Sequence, residues 1–377
     1  MKVFGYGQLE TLCEPELYSR RLTVWGKRYR RVKWGVQAIA FVPVISSHVF
    51  RGLPAFIQNE LGPAALRRVN RAAGFDIALI EDGNFFVPQQ SMVGLTNAMA
   101  KLAGSDHLGL LLAPHMDVTA YGMFGRYIAG AETLREAIAR SIAALRYHSS
   151  FDDLSCTETT STFSFSYKSA SANAQGYDTI ASAAAGELLS LTRVYLPETA
   201  RPLRVELDIA RPRQASLYED VFQCPVVFHA PAVAVVFERR RLMARAPTVQ
   251  RSILTLEDVA RDRPGGAPRQ LANVAVAQIR TQLATGQVSI DAVARSMDLS
   301  VRTLQRELRQ EGADFRGLTS SIRTQRAAEL LRGTLESITN ISEELGYSSV
   351  EAFSRAFRKA TGLSPREFRS ENASRGQ

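Results

Sequence analysis

The sequence predicts an α+β first domain followed by an all-α last domain, the latter built from two tandem helix-turn-helix units joined by a long helix. Three observations carry this. Phe163, Phe165 and Tyr167 alternate with Ser164, Ser166 and Lys168, and Leu203, Val205, Leu207 and Ile209 alternate with Arg204, Glu206 and Asp208; a period of two marks half-buried strands. Leu134, Ala137, Ile138, Ile142 and Leu145 fall close to a 3.6-residue period, the stripe of an amphipathic helix. After residue 288 one helix-turn-helix pattern occurs twice.

Composition sets the outer limits. The chain has 377 residues, 45% hydrophobic and 22% charged, which suits a folded protein of two to three domains rather than a disordered one. Lys plus Arg exceed Asp plus Glu by 46 − 37 = 9, a balance that favours a polyanionic partner. Cys13, Cys156 and Cys224 form no CxxC pair, so neither a disulfide framework nor a cysteine zinc site is expected, and free thiols suit a reducing cytoplasm. No run of eighteen apolar residues predicts a membrane span. His48, His107, His115, His148 and His229 are scattered without HxxxH or HExxH spacing. No GxSxG, Walker loop or dinucleotide fingerprint is present, so no enzyme, cofactor or metal is expected.

Residues 1–37 read as a solvated basic segment. Ser19-Arg20-Arg21-Leu22 faintly resembles an export signal, but Lys27, Arg28, Arg30, Arg31 and Lys33 interrupt it. Residues 38–245 form the mixed domain: helical to about Tyr147, then the two alternating strands with a helix over Ala181–Val194 between them, then an apolar β-branched run at 226–237. Residues 246–270 read as a linker, because Arg261-Asp262-Arg263-Pro264-Gly265-Gly266-Ala267-Pro268 combines lost donors with backbone freedom. Residues 271–377 are helical throughout.

The duplication carries the functional argument. Ile290, Val293, Ala294 and Met297 line one face of a helix, Asp298-Leu299-Ser300 breaks it, and Ser300 is a suitable N-cap for the next. That second helix buries Val301, Leu304 and Leu308 and presents Arg302, Gln305, Arg306 and Arg309 on its other face. A short helix with one apolar seam and one stripe of long donors suits a DNA groove: the seam docks it, while Arg and Gln reach base edges and phosphates. The design recurs 48 residues on for the first helices (Ile290 to Ile338) and 49 for the second (Leu304 to Phe353). There Ser337 and Ser349 are the caps, Gly346-Tyr347-Ser348 the turn, Phe353 and Phe357 the seam, and Glu351, Ser354, Arg355 and Arg358 the outer face. Between the units, Phe315–Leu331 reads as one helix of about 25 Å, long enough to hold two recognition helices near one DNA turn, about 34 Å, apart.

These residues resemble the DNA-binding domain of the AraC/XylS family of bacterial transcription regulators. The matching stretches are Ser300 to Arg306, Glu311-Gly312, Arg323 to Leu331, Leu345-Gly346-Tyr347, Phe353 to Phe357 and Thr361 to Arg369. Leu108-Gly109-Leu110, Glu132 to Ala137 and Cys224 to Phe228 resemble, more loosely, the sensor domain of the ornithine-utilisation-type (arabinose-binding-like) branch. Two positions depart from the family pattern: Asp298 stands where the first turn commonly has Gly, and Ser342 where Ala is usual. The resemblance implies a DNA-binding regulator, leaning toward an activator, controlled by a small effector in the first domain. It implies base contacts for Arg302, Gln305 and Arg306, a corresponding role for Arg355, and phosphate contacts for Arg309, Arg358 and Lys359. Thr303, Ser349, Glu351 and Ser354 complete the DNA-side set. The blander reading of these faces is a solvated helix surface. Implied partners are promoter DNA, a small-molecule effector, RNA polymerase and a second copy of the chain, with no membrane. The effector-contacting residues are left open. The alternative is a ligand-independent regulator whose first domain only dimerises; a repair enzyme with an attached DNA-binding module needs a reactive cysteine arrangement that three isolated cysteines do not supply.

Overall fold

The computed structural model describes residues 41–104, 107–246, 253–285 and 288–375. The basic segment 1–37, Cys13 and linker residues 247–252 lie outside them. β1 (Val44–Ser46) precedes α1 (Leu53–Leu61), α2 (Pro63–Ala73) and the one-turn α3 (Ile77–Ile80), and β2 (Phe86–Pro88) returns antiparallel to β1. Four helices follow: α4 (Gln89–Ala103), α5 (Leu108–Leu112), α6 (Gly122–Ala129) and α7 (Leu134–Ala144). Next come β3 (Asp153–Glu158), β4 (Thr162–Lys168), α8 (Tyr177–Tyr195), β5 (Arg204–Glu206), α9 (Ser216–Phe222), β6 (Val226–Val227) and β7 (Val233–Glu238). The rest is helical: α10 (Leu256–Asp262), α11 (Leu271–Thr285), α12 (Ile290–Ser296), α13 (Val301–Gln310), α14 (Phe315–Gly333), α15 (Ile338–Glu344), α16 (Val350–Thr361) and α17 (Pro365–Arg375). Among the described residues no helix is long and apolar enough to cross a membrane.

The mixed first domain and all-helical last domain agree with the fold class read from the sequence. The main sheet has five strands in the order β3-β4-β7-β5-β6, antiparallel except between β5 and β6. Along β4, Phe163 and Phe165 are buried while Ser164 and Ser166 are half-buried, as the alternation demands. In register Phe163 meets Phe237, their rings 5.8 Å apart, and Phe165 meets Val235. β7 is buried on both faces, which explains its unbroken apolar run.

Two sequence readings are narrower in the fold. The alternation over 203–209 forms a regular strand only at Arg204–Glu206, although Leu203 and Leu207 still donate to the Val236 and Val227 carbonyls at 2.7 and 2.8 Å. The run at 226–237 splits into β6 and β7, with Pro231, which has no N–H to give a ladder, in the gap. In α7, Thr133 caps as an acceptor for the Glu136 N–H, and the Glu136 carboxylate accepts the Glu132 N–H. Its buried stripe runs through Leu134, Ala137, Ile138, Ser141 and Ala144, whereas Ile142, expected within it, is exposed. Gly109 in α5 sits so close to α8 that a Cβ there would meet the Thr179 carbonyl at 2.7 Å, a steric reason for glycine in the Leu-Gly-Leu stretch.

The apolar side chains form two cores, one per domain. The assignment of β1 to them is unexpected. Val42 and Val44 are buried in the helical domain's core with Leu271, Val274 and Ala275, while the next residue, Ile45, is buried in the first domain's core. Alternation along an extended segment thus sends neighbouring side chains into different domains. Gln278 of α11 ties the same place from the other side by donating to the Phe86 carbonyl at 2.8 Å.

The Pro/Gly run read as a loose linker is packed. Arg263 turns into the first domain with its side chain 5% exposed. Its guanidinium donates to Ser46 Oγ (2.9 Å), His48 Nδ1 (3.1 Å) and the Phe85 carbonyl (3.3 Å) and lies 4.7 Å over the Phe86 ring. Gly266, at φ +72°, sits where a Cβ would come within 2.7 Å of the Arg146 carbonyl, and the Ala267 N–H donates to that carbonyl at 2.8 Å. The glycines that suggest freedom serve a left-handed turn and close approach instead.

Candidate nucleic-acid interface

Each helix-turn-helix unit is built by the same local devices. Asp298 stands at φ +54°, and the Leu299 N–H reaches back to the Ala294 carbonyl at 2.9 Å. In the second unit Gly346 stands at φ +71°, and the Tyr347 N–H reaches the Ser342 carbonyl at 3.0 Å. Both turns close over the same five-residue interval, with Asp298 adopting the conformation that glycine takes more cheaply. Ser300 Oγ accepts the Thr303 N–H and Ser349 Oγ the Ala352 N–H, each at 3.1 Å, so both second helices start at the caps read from the sequence. Ser342, the residue in place of the usual Ala, is buried and donates its hydroxyl to the Ser349 carbonyl at 3.2 Å. A satisfied hydroxyl is tolerated there, and it ties the first helix of that unit to the cap of the second.

The seams are closed. Leu304 and Leu308 of α13 and Phe353 and Phe357 of α16 are fully buried. Phe368 of α17 packs edge-on against Phe357 with centroids 5.3 Å apart. α14 spans 19 residues, about 28 Å, and packs on both α11 and α16. Arg323 of α14 lies 5.3 Å over the Tyr347 ring in the second turn, and Arg326 pairs with Glu344 at 3.2 Å. At the other end, the Glu311 carboxylate accepts the N–H groups of Leu271 (3.2 Å) and Ala272 (2.7 Å) at the start of α11.

With the seams inside, the donors face solvent. Arg302, Gln305, Arg306 and Arg309 of α13 are exposed, as are Glu351, Arg355, Arg358 and Lys359 of α16. Other members of the DNA-side set have intramolecular work. Thr303 is half-buried with its hydroxyl 2.8 Å from Ser300 Oγ, Ser349 caps α16, and Ser354 is half-buried. Arg306 is engaged by its neighbour: Nη2 and Nε lie 2.7 and 3.0 Å from Oε1 of Glu307, whose side chain is 3% exposed. Arg358 sits 3.6 Å from Glu367. Near the α16 start, the Glu351 carboxyl is held below its usual range by its own backbone N–H, then Ser349 and Arg355.

A second site, not read from the sequence, is a cavity of about 420 Å³ in the first domain, walled by α1, α4 and α8. It is lined by Phe50, Leu53, Phe56, Leu95 and Ile180, with Glu187 of α8 among them. Tyr121 donates its hydroxyl to Glu187 Oε1 at 2.7 Å, and burial pushes the Glu187 carboxyl up to about 7. The one sequence signal was a carboxylate amid the apolar residues of Ala181–Val194. Ile45 lines the same cavity, directly beside Val44 of the other core.

Comparison with known proteins finds two matching family models. Residues 64–246 match the model of the arabinose-binding domain of AraC transcription regulator (N-terminal), and residues 293–371 match a helix-turn-helix domain. A Mycobacterium tuberculosis protein called an uncharacterized HTH-type transcriptional regulator is 26% identical over 286 residues, 72% of this chain and 80% of its own. The HTH-type transcriptional regulator VqsM of Pseudomonas aeruginosa is 30% identical over 165 residues, 41% of this chain and 49% of its own. The solved structure of the transcriptional regulator CdpR from Pseudomonas aeruginosa is 25% identical, with 70% of this chain and 86% of that one covered and a TM-score of 0.34.

Proposed function

The chain belongs to the AraC family of DNA-binding transcription regulators, and from that premise we propose that it is an effector-controlled activator that reads two successive major grooves with α13 and α16. The observation that carries the reading is the pair of exposed arginine-bearing faces, Arg302–Arg309 and Arg355–Lys359, each backed by a closed apolar seam and joined through α14. Base readout falls to Arg302, Gln305 and Arg306 in the first unit and Arg355 in the second. Arg309, Arg358 and Lys359 meet phosphates, which position the protein without reading sequence. Thr303, Ser349, Glu351 and Ser354 flank these contacts. The second helix starts with Val350, Glu351 and Ala352, poor in donors, so the first unit supplies more of the direct readout.

Control runs through β1. A molecule filling the cavity presses on Ile45, while Val44 is a wedge in the core that supports α11, the helix Glu311 caps. Differential affinity of the effector for two placements of that strand is the coupling the family requires. Contact with RNA polymerase and pairing with a second copy complete the activator reading.

Binding-site selection on the full-length protein, followed by footprinting, tests it. The expected result is a protected site with two motifs about one helical turn, roughly 34 Å, apart on one face of the duplex. A single-turn footprint, indifferent to Arg355→Ala, would overturn two-groove reading.

A further inference from the structure

The cavity's lining is apolar over most of its area; of its acidic residues Glu60 and Asp117 are exposed, while Glu187 also lines a smaller adjoining cavity, and this combination selects a ligand class. We infer that the cavity binds an apolar molecule bearing a cationic amine, with the apolar body between Phe50, Leu53, Phe56 and Ile180 and the ammonium on the free oxygen of the Glu187 carboxylate. The inference rests on reading the first domain as an effector site and specifies what that site takes.

Three observations point to the amine. First, Glu187 is hydrogen-bonded on one side only among the described residues: Tyr121 satisfies Oε1, and no arginine or lysine pairs with the carboxylate. A desolvated carboxylate without a cation is costly, and an ammonium from outside supplies what the fold leaves out. The raised proton affinity of Glu187, caused first by burial, is the signature of that missing charge. Second, Glu187, Tyr121 and Tyr167 line both the main cavity and a smaller adjoining one of about 50 Å³, whose other acid, Asp152, is already taken by Gln89, Ser149, Tyr167 and the Ala170 N–H, so Glu187 is the carboxylate left for a head group at the junction. Third, anions find no free cation. Among the described residues Arg51 is the sole arginine or lysine in the lining, and its guanidinium is held by Asp82 at 2.9 Å and by the Ala120 carbonyl at 3.1 Å. A sugar needs hydrogen-bond partners around its whole ring, and although Asn59, Thr96, His115 and Thr179 stand in the lining, most of its surface is hydrocarbon. The head group would also be connected to β1. Tyr121 stacks on His148 with centroids 5.3 Å apart, and the His148 carbonyl accepts the Ser46 N–H at 2.7 Å.

The test uses full-length protein titrated by calorimetry and thermal shift with n-alkylamines, the alcohols and carboxylates of equal chain length, and L-arabinose. Amines should bind on the order of tenfold tighter than the matched alcohols, the worth of one charge-assisted hydrogen bond. Glu187→Gln should remove that preference while leaving alcohol binding in place. In wild type only, the amine heat measured near pH 7 should differ between buffers of different ionisation enthalpy, because the ammonium drives Glu187 to release its fractional proton. Leu53→Trp, narrowing the cavity from α1 rather than from the helix that carries Glu187, should weaken both amines and alcohols. Tighter binding of carboxylates or arabinose, equal binding of amines and alcohols, or no binding at all overturns the inference. Should Glu187→Gln fail to fold, the amine-to-alcohol ratio and the buffer dependence of wild type decide alone. Operator selection on the same preparation separates the two levels: a protected operator without amine binding sinks the ligand class only, whereas amine binding without any selected operator sinks the regulator reading instead.

Discussion

Arg306 shows how a neighbour changes the meaning of a side chain. The stripe places it with Arg302 and Gln305 as a base reader, yet its guanidinium rests on the buried Glu307 carboxylate. Arg306→Ala therefore removes a donor and also strands a buried charge, and a loss of operator affinity in that variant mixes two causes. Arg302 and Gln305 are cleaner probes. Arg302→Ala should cost about 1–3 kcal/mol and relax base preference at one position, read by competition binding across single-base operator variants. Arg309→Ala should weaken all sequences alike and flatten the salt dependence by about one phosphate. An Arg302→Ala/Gln305→Ala protein that folds and keeps full operator affinity would remove these residues from the interface.

At the scale of elements, caps and seams are the local rules that the sequence states openly. Ser300, Ser337 and Ser349 all cap as expected because capping needs only a short hydroxyl and the next three residues. Ser349→Ala should cost about 1 kcal/mol in urea unfolding. Phe357→Ala, which empties a site closed by Phe353 and Phe368, should cost about 3–5 kcal/mol in the same measurement. The linker is the element that sequence misjudges. Proline and glycine report backbone options, and they do not say whether a neighbouring chain occupies the space. With Arg263 and Ala267 docked, tryptic cleavage after Arg261 or Arg269 should be slow in the native protein and should accelerate in Arg263→Ala; equal rates would mean the docking is not maintained in solution.

For the molecule as a whole, the joint between domains holds a pH-dependent load. Burial, then the positive charge of Arg263, lowers His48 to about 4, and the same causes lower His148 to about 3. Both rings are neutral when folded and protonate in the unfolded chain below about 6.5. The unfolded state then binds more protons, so stability present above pH 6.5 is lost progressively as pH falls toward 4 and then 3. Urea midpoints should decline across that window, and His148→Phe should flatten the decline; an unchanged slope would place the acid sensitivity elsewhere. Arg263 itself is lowered to about 10 by burial and keeps its charge throughout.

What the sequence determined by itself is what period and local chemistry can encode: the strands of alternating Phe and Ser, the duplicated helix-turn-helix units with their serine caps, and the outward faces of α13 and α16. Only the tertiary structure decided which groups meet from distant parts of the chain. Val44 and Ile45 are adjacent in sequence but belong to different cores, Arg263 closes on Ser46 and His48 from more than two hundred residues away, and Tyr121 finds Glu187 across the cavity. Such pairings leave no periodic trace. They are chosen by the burial of whole surfaces, and a buried charge such as Arg263 takes its role from the partners the fold brings to it.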